Sequence, residues 1–196
     1  MRPLLALVVL VGCGGNEPAS QDASADSPTD GIVYDEPGIP GTFTLTSPTI
    51  TEGGVIPPTH VCASKGGQNQ SPQLVFTNVP QGTQSFAVVL TDLSNSLVHC
   101  AIYDVPGTDT GLPANVATGY TTTTVPGAHQ TLNISGARAY AGPCPPNTHT
   151  YQFKVYALAT ATLPNAVMGT TKETVVSTAS ASNLGTATLT GTFTPP

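Results

Sequence analysis

The chain has 196 residues, only 8% of them charged, with 20 glycines, 19 prolines, no tryptophan and a formal net charge of -6. Six of the eleven acidic residues (Glu17, Asp22, Asp26, Asp30, Asp35, Glu36) precede residue 42, which leaves four Lys/Arg against five Asp/Glu in the rest. A body that close to neutral has no basic patch for nucleic acid, and its wealth of Gly, Pro and Thr argues against a helical protein.

The first segment, "MRPLLALVVLVGCGG", places Arg2 before an apolar run from Leu4 to Val11 that ends in small residues. That pattern is a secretory signal, too short for a permanent membrane span. Its end, Leu10-Val11-Gly12-Cys13, resembles the bacterial lipobox, in which the cysteine is lipidated and becomes the mature N-terminus. We therefore expect residues 1–12 to be a lipoprotein signal peptide and Cys13 to carry the lipid, in preference to an ordinary signal with an incidental cysteine. Residues 13–41, rich in Ser, Asp, Ala, Pro and Gly, cannot bury enough apolar surface to fold and read as a disordered acidic tether. The expected location is the bacterial cell envelope, on its periplasmic or outer face, with the membrane as a partner through the acyl chains.

A folded body is expected over 42–196. Strands are predicted at 42–47 (TFTLTS), 72–80 (PQLVFTNVP), 84–92 (QSFAVVLTD), 97–106 (LVHCAIYDVP), 150–158 (TYQFKVYAL) and 185–193 (GTATLTGTF), each bounded by Gly or Pro. The expected class is mainly β, with a central antiparallel sheet and one or two short helices. One helix falls between Gly169 and Leu184, with Thr170 or Thr171 as its cap and Glu173 in its first turn. The stretch 107–139 is long for a connection in a compact domain, and such stretches are functional or disordered.

With Cys13 lipidated, three cysteines remain in an oxidising compartment, so one disulfide and one odd thiol are expected. Alternation along "LVHCAIY" puts Leu97, His99, Ala101 and Tyr103 on one face and Val98, Cys100 and Ile102 on the other. Cys100 then points away from whatever His99 faces. Cys62 and Cys144 both sit in Gly- or Pro-rich loops and are the preferred pair, although composition alone leaves the pairing open.

Three segments, "SPQLVFTNVPQGTQSFAVVLTD" (71–92), "HCAIYDVP" (99–106) and "GPCPPNTHTY" (142–151), resemble the phosphatidylethanolamine-binding protein family, in its bacterial branch. "TLTSPTITEGGVIPPTHVC" (44–62) and "ATLTGTF" (187–193) are similar to the branch's opening segment and closing strand. The resemblance implies a compact β fold with a small pocket for phosphate or phosphorylated head groups. Matched residue by residue, it implies ligand contacts from Asp92, His99, Gly142, Pro143, Pro145, Pro146, His149 and Tyr151. The chain departs from the family pattern at Leu93 and Ser94, where a proline and a second aspartate are usual. Thr150 replaces an arginine, and Cys100 a tryptophan.

The chemistry of these residues suits an anion on its own terms. Imidazoles and a phenol donate to phosphate oxygens, a carboxylate orients an imidazole or takes an ammonium, and prolines pre-shape the rim. Taken singly, His99 reads as a satisfied core histidine and Tyr151 as a packing aromatic. His60 and His129 read as surface or loop residues, and Asp104 as a turn residue before Pro106. Two histidines and a carboxylate also suit zinc, but the proline loop is a poor metal scaffold, and no Gly-x-Ser-x-Gly elbow is present. No metal, cofactor or catalytic activity is expected. The expected partner is a phosphate-bearing small molecule or lipid head group. The alternative is a protein-interaction or regulatory module with a degenerate pocket.

Overall fold

The computed structural model describes residues 41–196, so the signal segment, Cys13 and the tether lie outside the described residues. The strands are β1 (Thr44–Thr46), β2 (Gly54–Val55), β3 (Leu74–Thr77), β4 (Ser85–Asp92), β5 (Leu97–Pro106), β6 (Gly111–Leu112), β7 (His129–Gln130), β8 (His149–Leu158) and β9 (Asn183–Phe193). One α-helix, α1 (Lys172–Ser182), precedes β9, and two 3-10 turns span Pro58–His60 and Ala63–Lys65. The mainly β architecture matches the expectation, and the six strands read from the sequence are all present.

A six-stranded sheet in the order β2-β9-β8-β4-β5-β7 forms the centre, and a three-stranded sheet β1-β3-β6 packs as a second layer. Pairing is antiparallel except between β2 and β9. β4 lies inside the large sheet and is buried on both faces, which explains its unbroken apolar run rather than an alternating one. Phe86, Val88 and Leu90 enter one core with Phe153, Val155 and Leu189. Ala87 and Val89 enter a second core with Tyr103, Tyr156 and Leu158, closed by Val175 and Ala179 of α1. Those two helix residues are four apart and so share one face. Thr171 caps α1, its side chain accepting from the Thr174 amide.

Two bulges in the β4–β5 pair override simple alternation. Leu90 pairs with Cys100 but Thr91 with Val98, so His99 is an extra residue. Beyond it parity inverts, and Val98 packs with Ala101 and Tyr103 on the helix side. His99 and Cys100 do not point to opposite faces as alternation predicts. The His99 ring meets Tyr151, a member of the first core against which Cys100 also packs. At the second bulge, Tyr103 and Asp104 together oppose Ala87. Asp104 is therefore a buried strand residue with φ 57°, not a turn residue, and its carboxylate accepts from the Leu163 amide at 2.6 Å. Burial raises its carboxyl above the usual range.

The stretch 107–139 is ordered. Val116, Val125 and Ala128 reach the core, and Arg138 donates to the carbonyls of Gln130 and Met168. His129 lies in β7, stacked on Tyr120 at 4.3 Å, instead of standing in a free loop. His60, unlike the half-buried His129, is fully buried, bonded to Thr49 Oγ1 and to the Gln70 carbonyl, and Tyr140 Oη and Gly142 pack on its carbonyl.

Candidate functional site

The β4–β5 hairpin, the start of β8 and the loop before β8 converge at one end of the large sheet. Asp92 ends β4 and pairs directly with Tyr151 of β8, which sets both on neighbouring strands. One carboxylate oxygen of Asp92 accepts from the Ser94 amide at 2.9 Å. The other accepts from His149 Nδ1 at 2.6 Å, with His149 13% and Asp92 3% exposed. That contact fixes the His149 ring and leaves Nε2 directed elsewhere. The Tyr151 ring lies edge-on to His99 at 5.4 Å and 88°.

His99 Nδ1 donates to the Ala141 carbonyl at 3.0 Å. Burial is the main influence on this imidazole and lowers its pKa, outweighing the Ala141 bond and the Asp92 charge, which act in the opposite direction. His99 is accordingly neutral at pH 7. Two expected donors thus divide into one neutral ring committed to a carbonyl and one ring held by a carboxylate. Tyr151 is fully buried, and its Oη has no hydrogen-bond partner. Burial, the nearby Asp92 charge and the approach of the Asp92 carboxylate to the hydroxyl, in that order, push its phenol well above the ordinary value, so the hydroxyl keeps its proton and remains a donor.

The proline loop is tied to the 3-10 turn region by several bonds. Cys62 and Cys144 form the disulfide, with Cα atoms 5.4 Å apart, while Cys100 stays a thiol. The Cys62 amide donates to the Pro143 carbonyl at 3.0 Å, and Tyr140 Oη to the His60 carbonyl at 2.9 Å. The Gly142 amide donates to Asn69 Oδ1 at 2.8 Å. Gly142 packs so tightly that a Cβ would lie 2.0 Å from the His60 carbonyl oxygen. Pro143 and Pro145 are buried, and Pro146 is exposed on the rim. All eight residues matched by resemblance fall on these three segments.

Two further residues shape the site without having been read as part of it. Asn69, in the left-handed region at φ 53°, organises the loop through Gly142, and its only sequence signal is the turn-forming run Gly66-Gly67-Gln68-Asn69. Ser94 occupies the position of the missing acid; its amide binds Asp92 and its Oγ accepts from the Thr150 amide at 3.0 Å. Thr150 joins the hairpin through its backbone, its carbonyl accepting from the Leu93 amide at 2.8 Å. Among the described residues, no group of three or more His, Cys, Asp and Glu side chains is placed to hold a metal ion.

The phosphatidylethanolamine-binding protein family model matches residues 46–194. The YbcL protein of Escherichia coli strain K12 is 37% identical over 131 residues, which cover 62% of this chain and 72% of YbcL. A protein of Methanothermobacter thermautotrophicus is 33% identical over 153 residues, covering 76% of this chain and 97% of its own length. The crystal structure of E. coli YbcL, described as a new member of the mammalian PEBP family, superimposes with a TM-score of 0.70 at 34% identity. It covers 78% of this chain and 98% of that one. The structure of a Chlamydia trachomatis homolog of the same family gives 0.63 at 28% identity, covering 77% and 96%. Motif, fold and comparisons agree that the chain belongs to the phosphatidylethanolamine-binding protein family.

Proposed function

We propose that the domain is a non-catalytic binding module for phosphate or phosphorylated head groups, held at the cell envelope by lipid on Cys13. The observation that carries this reading is the Tyr151 hydroxyl, buried without a partner beside the Asp92–His149 pair. An orphaned buried donor costs free energy unless something fills the bond, and a phosphate oxygen is a fitting acceptor. His149 Nε2 supplies a second donor when the ring is protonated, and Asp92 retains lone pairs for a ligand ammonium. The prolines hold the rim in shape before binding. A nucleophilic role is disfavoured for Cys100, whose thiol burial pushes up to about 11.

Titration with inorganic phosphate and phosphoethanolamine, followed by imidazole NMR signals, tests the pocket. The His149 and His99 signals should move, and no movement at millimolar ligand overturns the reading. Replacement of Cys13 by Ser should release the protein from membranes and abolish labelling with a radioactive fatty acid. A second reading, the protein-interaction module, draws support from the exposed side chains of Leu132 and Met168 at an open cleft beside the 107–139 stretch. It predicts instead that His99→Ala leaves the biological role intact while changes in that stretch abolish partner binding.

A further inference from the structure

A cavity of about 40 Å³ lies between the two sheets. Leu74 and Leu112 of the small sheet form one wall, and Val88, Leu90, Cys100 and Phe153 of the large sheet form the other. The polar side chains at its edge are already committed. Gln130 Nε2 donates to the carbonyls of Ala117 and Gly119, Tyr140 Oη donates to the His60 carbonyl, and Ser71 Oγ accepts from the Val116 amide. A buried water needs about two to four polar partners, and an apolar cavity without them stays dry. Cys100 is only half-buried, yet burial pushes its thiol up to about 11. Deep in the molecule, its free surface faces the cavity rather than bulk solvent. Cys100 and Tyr140 are also the chain neighbours of His99 and Ala141, which bond to each other, so the cavity backs on the candidate site.

From this arrangement we propose that the cavity is a binding site for a small, uncharged apolar molecule of the size of a dissolved gas, held between Leu74, Leu90, Leu112 and the Cys100 thiol. The space is about three times the roughly 10–15 Å³ that one water needs, and well short of the roughly 150 Å³ that receives benzene. Its walls are strands of two sheets, so the site exists before anything binds and little ordering opposes entry. Side chains facing a void forfeit dispersion contacts on that side, and an apolar guest restores them. A charged or hydrogen-bonding guest would give up water without finding a partner. The inference stands apart from the anion pocket and does not depend on what that pocket binds.

The probe is xenon, applied under pressure to the protein while its methyl signals are followed by NMR. Signals of Leu74, Val88, Leu90 and Leu112 should shift and saturate with pressure, while Val175 of the second core should not respond. Dioxygen, apolar and paramagnetic, should broaden the same four sets of signals selectively. Cys100→Leu fills the cavity from the large sheet and Leu112→Phe fills it from the small one. Each should abolish the saturable shift, whereas Cys100→Ala enlarges the space and should retain it. Benzene should leave the wild-type signals unchanged. Shifts that never saturate, that spread equally over both cores, or that survive both filled variants overturn the proposal. A water found in the cavity through nuclear Overhauser contacts with the Leu74 and Leu90 methyls also overturns it, because the space then has polar partners. Benzene binding to the wild type as tightly as xenon overturns the assigned size class.

Discussion

Replacing Tyr151 by Phe should stabilise the ligand-free protein and weaken phosphate binding, two effects of opposite sign from one oxygen. The Tyr151 hydroxyl is buried and unpartnered, whereas its ring is packed in the first core. A buried polar group without a partner costs about 1–3 kcal/mol, and removing it recovers most of that. The void left by one hydroxyl is small, so its cavity cost is a few tenths of a kcal/mol at about 24 cal/mol per Å³. The net gain is about 1–2 kcal/mol, or roughly 2–8 °C in Tm for a domain of this size. Calorimetry in phosphate-free buffer measures it. In the bound state the variant forfeits a hydrogen bond to a charged oxygen, worth about 1.5–3 kcal/mol, which lowers affinity roughly 10- to 100-fold. Tyr103→Phe is the control of opposite sign: its hydroxyl contacts Tyr120 Oη and the Val167 carbonyl, each at 3.3 Å, so its removal should lower Tm. A fall of several degrees for Tyr151→Phe would mean that the hydroxyl bonds Asp92 in the free protein, and unchanged affinity would mean that it does not face the ligand.

Gly142→Ala should cost about 2–4 kcal/mol in urea unfolding, because a Cβ 2.0 Å from the His60 carbonyl forces backbone apart and loosens the Tyr140–His60 bond. Gly169→Ala, with nothing within 4 Å, should lie within about 0.5 kcal/mol of wild type, and equal costs at the two positions would refute the packing argument. Reducing the disulfide, or replacing Cys144 by Ser, frees a loop with a sequence separation of 82 residues and should cost about 2–5 kcal/mol. Phosphate affinity should fall with it, since Cys144 lies in the proline loop; unchanged affinity would show that the hydrogen bonds alone hold that loop. His99 supplies a pH dependence. Burial lowers its folded-state pKa below the unfolded value of roughly 6.5, so the unfolded chain binds the proton more strongly. Its contribution is complete above that value and is lost as pH falls towards the folded pKa. Wild-type urea midpoints should therefore drop more steeply than those of His99→Gln between pH 7.5 and 5, and parallel curves would refute this assignment.

Much of the architecture was legible from local pattern. The predicted strand 97–106 coincides with β5, and the helix forms where Thr171 and Glu173 marked its start. The site residues were legible only as a resemblance, since no periodicity singles out Asp92, His149 or Tyr151. The misreadings at His99, Cys100 and Asp104 share one cause. Alternation assumes an unbroken ladder, and bulges at His99 and Asp104 break it. His60 was misread because its burial comes from a segment 80 residues away, through the Tyr140 hydroxyl on its carbonyl.

The sequence by itself determined six of the nine strands among the described residues, where α1 starts and which loop is rigid, because propensity, capping and proline geometry act over a few residues; the two-residue strands β2, β6 and β7 exist only through their pairing partners. The tertiary structure decided that Asp92 holds His149, that His99 is neutral and bonded to Ala141, and that Tyr151 keeps a free hydroxyl. Those outcomes depend on strand register, burial and the approach of distant backbone, and none of these is a property of a residue and its neighbours in the chain.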